Sequence, residues 1–102
     1  MPRLVLAPRA IADLTAISAT LAEAAGKSVA IDYLARFTST FDRLVLHPLS
    51  GSRRSRLGAR VRIAVVRPYV VIYRTSADNV MIMRVLHGHR RITRHMLTEP
   101  TE

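Results

Sequence analysis

A chain of 102 residues has room for one compact domain around one core and none for a second. It contains no cysteine, which excludes a disulfide framework and a thiolate metal site; the apolar start before Asp13 is too short for a signal peptide, and no later stretch nears the roughly 18 apolar residues of a membrane span, so a cytoplasmic protein is expected. The formal charge of +9 and pI near 11.6, carried by 16 basic residues of which Lys27 is the one lysine, predict attraction to polyanions or to an acidic protein partner.

Leu4, Val5 and Leu6 read as a short apolar strand over residues 3–7. Pro8 then stands where the first turn of a helix needs no N–H. Ile11, Leu14, Ile17 and Leu21 recur at three- and four-residue spacing with Asp13 and Glu23 off the stripe, and Gly26 is a natural stop, so a helix is predicted over 8–25. A second helix is predicted over 28–47, with Ile31, Leu34, Phe37, Phe41 and Leu44 on its apolar face and Asp32, Arg36, Ser39 and Arg43 on the solvated one. His47-Pro48 ends it.

Residues 48–59, PLSGSRRSRLGA, have neither a helical nor a strand period and read as a basic loop. Three β-rich runs follow at 60–66, 69–75 and 79–87, the last two joined as a hairpin, and residues 90–97 read as a C-terminal helical turn. The expected architecture is α+β in the order β-α-α-β-β-β, a two-helix hairpin packed on one face of a small, mainly antiparallel sheet.

A sheet covered on one face should alternate apolar and polar residues. Tyr69-Val70-Val71-Ile72-Tyr73 and Val80-Met81-Ile82-Met83 are apolar at both parities, more than one helical layer can cover. The second face is therefore expected to be sticky beside arginines, with Tyr69, Val71, Tyr73, Met81 and Met83 offered to a partner chain that has apolar anchors and acidic flanks. In the other arrangement the basic loop and the C-terminal turn fold over that face.

The run Arg67 to Arg74, an acidic-polar hairpin, and Val80 to Arg84 leading into Val85-Leu86-His87-Gly88-His89-Arg90 resemble the C-terminal hairpin of ParE toxins in the RelE/ParE superfamily. The P-R-A-x-x-D-L block at Pro8 to Leu14 and the F-x-R-L-x-x-x-P-x-x-G block at Phe41 to Gly51 fit the same family, so the likeness spans nearly the whole chain. Ala7 stands where such toxins often carry a capping Ser, and Arg91 where they carry Asp.

The resemblance implies the toxin of a type II toxin–antitoxin pair that binds DNA gyrase and traps its cleaved DNA complex. It further implies neutralisation by a cognate ribbon-helix-helix, ParD-like antitoxin in a hetero-oligomer, two toxins with two antitoxins, with nucleic acid reached only through gyrase or through the antitoxin's operator. Arg53, Arg54, Arg56, Arg60, Arg62, His87, Arg90 and Arg91 form the basic surface expected to reach gyrase or its DNA.

RelE-like relatives instead cut messenger RNA on the ribosome, which needs a base, an acid and arginines to hold the transition-state charge. Arg62 and Arg90 match two of those positions, while Ala64, Val70 and a site near Met96 fail to match the others. His87, His89 and His95 are the imidazoles available for acid–base duty, so an RNase reading would rest on Arg62, Arg90, His87 and His95. No cofactor or metal is called for, because His87 and His89 lack a third ligand nearby. A third possibility is an adaptor that docks the antitoxin without toxicity. Sequence-specific DNA reading is not expected, since neither helix clusters base-reading side chains.

Overall fold

The computed structural model describes residues 1–88 and 90–97. Strand β1 (Arg3–Leu6) leads directly into helix α1 (Pro8–Ala25), with Pro8 in the first turn and Ala7 at the N-cap without a side-chain cap bond. Gly26, at φ 100°, takes a backbone conformation that other residues adopt only under strain, and this lets α2 (Lys27–Leu46) fold back on α1 with no loop between them. Phe37, Phe41 and Leu44 of α2 are buried against the sheet.

Among the described residues the sheet has five strands, β1, β2 (Ser52–Arg53), β3 (Val61–Val66), β4 (Tyr69–Thr75) and β5 (Asn79–His87), ordered β1-β5-β4-β3-β2, with β1 parallel to β5 and the remaining pairs antiparallel. β3, β4 and β5 are the predicted runs. β2 is a correction to the featureless loop expected over 48–59: it pairs with β3, and a 3-10 turn follows at Ser55–Leu57. Two residues of strand carry too little sequence pattern to be seen in advance.

The apolar surplus on the strands is resolved by two cores, one on each side of the sheet. Val71, Tyr73, Val80, Ile82 and Val85 face the helices with Phe37, Phe41 and Leu44, and Tyr69 packs against this cluster. On the opposite face, Leu57, Val61, Ile72, Met83 and Leu86 form a second cluster, closed by Ile92, Met96 and Leu97 of the C-terminal segment. The open, sticky second face is therefore corrected: the chain covers much of it with its own 3-10 turns at Ser55–Leu57 and Arg94–Leu97. Covering both faces removes more apolar area from water than one helical layer can in so short a chain.

β1 pairs with β5 only as far as Ile82. Beyond it, a register irregularity between Ile72 and Tyr73 of β4 shifts the β4–β5 pairing, as a bulge does when it re-aims a side chain. Arg84 then reaches Asp13 of α1 through two hydrogen bonds of 2.7 and 2.9 Å, and the same carboxylate accepts the Val85 N–H at 3.0 Å. Asp13 thus satisfies strand backbone where the neighbouring strand has ended.

Candidate functional site

Two concave surfaces lie on opposite sides of the sheet, next to the edge strand β1. The first runs along the helical hairpin. Leu6, Leu14 and Ala30 line its walls, and a cavity of about 530 Å3 is open to solvent there. Ile11, Ile31 and Leu34 border it at 52%, 60% and 38% exposure. These three residues belong to the stripes read as core; here they make an apolar groove far too exposed to count as core, and Lys27 is the one charged side chain among the described residues that line it. Contiguous exposed apolar surface of this kind marks an interaction site.

The second surface lies on the far face of the sheet, between the 57–60 segment and the C-terminal turn. Its cavity, about 680 Å3, has Met81, Met83 and Leu97 among its apolar lining and Arg60, Arg74 and Arg94 as its charged groups. Arg56 and Arg91 share a smaller adjoining cleft with Arg94. Arg74 and Arg94 were not singled out in the sequence, where one ends a strand and the other sits in a tail. Only the β4 register, which puts Arg74 on the same side as Ile72, and the return of the C-terminal turn bring them together.

The eight residues expected to form one basic surface are dispersed. Arg56, Arg60 and Arg91 border the far-face cavities. Arg62 pairs with Arg53 across β2–β3, and its guanidinium donates to the Leu49 and Gly51 carbonyls at 3.2 and 2.9 Å, so it ties down the loop. Arg54 is exposed just beyond β2 and donates to the Arg53 carbonyl. His87 stands at the other end of the sheet, its ring edge-on to Tyr69 at 5.8 Å, within an aromatic group that includes Tyr33 and Phe37. Arg90 is exposed just past β5.

The set Arg62, Arg90, His87 and His95 is not assembled into a reaction centre. Arg62 is level with Tyr73 on β4, whereas His87 is level with Tyr69. The two are four residues apart along the strands, about 13 Å at the usual rise, and two strands apart across the sheet. His95 is exposed in the turn at Arg94–Leu97. His89 lies outside the described residues. Among the described residues no group of three or more His, Asp or Glu side chains is arranged to hold a metal ion, and no helix is long and apolar enough to cross a membrane.

The five residues assigned to an antitoxin-binding sheet face are also redistributed. Tyr69, Val71 and Tyr73 point to the helix side, where Val71 and Tyr73 are fully buried. Met83 is buried under the second cluster, and Met81 alone of the five borders an open cavity on the far face while keeping appreciable exposure. Strand alternation cannot say how much of a face the chain's own loops will cover, and here the second of the two expected arrangements holds over much of it.

An αα-hairpin laid on a five-stranded, mostly antiparallel sheet in the order β-α-α-β-β-β is the architecture of the RelE/ParE class of small toxins. Residues 4–92 match the family described as ParE toxin of type II toxin-antitoxin system, parDE. The chain is 35% identical to Toxin ParE3 of Caulobacter vibrioides over 80 residues, 78% of this chain and 80% of that protein. A solved structure, described as the chromosomal ParDE TA system from P. aeruginosa, has the same fold at a TM-score of 0.73 and 21% identity, covering 85% of this chain and 96% of that one. The chain belongs to the ParE toxin family.

Proposed function

We propose that this protein arrests cells by binding DNA gyrase in the cytoplasm, and that a cognate ribbon-helix-helix, ParD-like antitoxin neutralises it by laying an amphipathic helix along the α1–α2 groove. The groove carries the reading. Ile11, Ile31 and Leu34 stand exposed around an apolar trough, and a toxin made together with its antidote needs such a surface covered. A complex of two toxins and two antitoxins fits the two-fold symmetry of a ribbon-helix-helix dimer.

Binding is favoured over RNA cleavage by the placement of the side chains. Arg62 is engaged with loop carbonyls and His87 with Tyr69, so an acid, a base and a charge-stabilising arginine do not converge on one scissile bond. The test combines purified gyrase with supercoiled plasmid, and separately a translation reaction with messenger RNA. Linearised plasmid after denaturation, with intact message, supports the proposal; cuts positioned within codons of translated message, with no gyrase cleavage complex, would overturn it.

A further inference from the structure

The cavity on the far face of the sheet differs in composition from the apolar groove. Arg60, Arg74 and Arg94 converge on a floor that includes Met81, Met83 and Leu97. All three arginines are exposed, and none of their guanidinium groups has a hydrogen-bond or ion-pair partner among the described residues. Three guanidiniums held around one concave space repel one another, and a bound anion relieves that repulsion.

The backbone gives a second, independent sign. Arg60 has φ 63°, in the left-handed region that non-glycine residues seldom occupy. Its carbonyl is held by the Thr75 N–H at 3.2 Å. A glycine would sit there without strain. An unfavourable backbone that keeps an arginine at the rim of a cavity is the kind of outlier from which function is inferred.

The lining selects among anions. None of the described residues lining the cavity is aromatic, so they offer nucleobases no stacking platform of the kind on which single-stranded nucleic acid binding relies. Aliphatic and thioether groups instead offer an adaptable apolar floor. Planar guanidiniums grip carboxylates with paired hydrogen bonds. We infer that this cavity is a docking site for an acidic peptide segment of a partner polypeptide, in which carboxylates flanking an aliphatic side chain engage Arg60, Arg74 and Arg94 while that side chain rests on Met81 and Met83.

This site is separate from the α1–α2 groove. Leu6 lines the groove and Ala7, the next residue, lines the cavity, and no described residue lines both. The cavity's charge and apolar floor define its ligand without gyrase or the antitoxin.

The experiment is fluorescence anisotropy at low salt with the full-length protein and three labelled probes: a peptide with two glutamates on each side of a leucine, its glutamine counterpart, and a single-stranded DNA oligonucleotide of the same charge. The acidic peptide is expected to bind and the glutamine peptide not to. Arg74→Gln with Arg94→Gln weakens binding at least about tenfold. Arg36→Gln with Arg67→Gln, the same charge change at a distant surface, leaves it within about twofold. Arg60→Gly weakens binding while its melting temperature stays level or rises, a combination that damage to the fold does not produce. Absence of peptide binding, equal losses in the two double variants, or tighter and equally arginine-dependent binding of the oligonucleotide would each overturn the proposal.

Discussion

Asp13 and Arg84 are 71 positions apart in the sequence and joined by two charge-assisted hydrogen bonds, with side-chain exposures of 15% and 8%. The pair fastens α1 to β5 where β1 has ended, and Arg84 also donates to the Met96 carbonyl at 2.9 Å, which brings in the C-terminal turn. Helix, sheet and tail are thereby held through one guanidinium.

Asp13→Ala is expected to destabilise the fold by about 3 kcal/mol, because it strands a largely buried cation and leaves the Val85 N–H without its acceptor. Chemical denaturation measures the loss. A double-mutant cycle with Arg84→Met should show strong coupling, with the double variant far less impaired than the two single losses added together.

Tyr73 pins the loop that follows α2: its hydroxyl donates to the Pro48 carbonyl and accepts the Gly51 N–H, both at 2.9 Å. Burial pushes its phenol above the ordinary value of 10.0, so the folded protein holds that proton more tightly than the unfolded chain. The resulting stabilisation is intact below about pH 10 and is lost as pH climbs through the folded value. Tyr73→Phe should cost about 1–2 kcal/mol at neutral pH. The gap between the two proteins should narrow above pH 10, since Tyr69, also raised, is common to both.

Gly51 is held against that tyrosine. A Cβ at this position would lie 2.5 Å from the Ile63 carbonyl oxygen and 2.7 Å from Tyr73 Cε1, and both belong to strands that cannot shift cheaply. Gly51→Ala is expected to destabilise by at least about 2 kcal/mol by overpacking, and its melting temperature should fall below that of Tyr73→Phe.

Element order was legible because periodicity reports it well: the stripes of α1 and α2 and the runs of β3, β4 and β5 appear in the sequence at the observed places. Partner surfaces were not. The periodicity that marked Phe37, Phe41 and Leu44 as core also marked Ile31 and Leu34, which emerge at the groove; a helical stripe does not reveal where the sheet beneath it stops. Ile92, Met96 and Leu97, spaced among arginines and polar residues, have no period that decides between an open far face and one covered by the C-terminal turn, and the structure shows them packed on it. Asp13 stood off the apolar stripe with nothing nearby to mark its role, because its partner is 71 residues away. Within the family blocks, the aspartate of P-R-A-x-x-D-L and the arginine of R-V-L-H-G are that pair, and their function is to hold the fold.

The helical groove carries the account, and a pull-down with the product of the adjacent reading frame tests it most directly. Ile11→Asp with Ile31→Asp, two exposed residues whose replacement spares both cores, should weaken capture of that polypeptide at least about a hundredfold while the variant keeps its fold and its toxicity when expressed alone. Undiminished capture by the folded double variant would contradict the account.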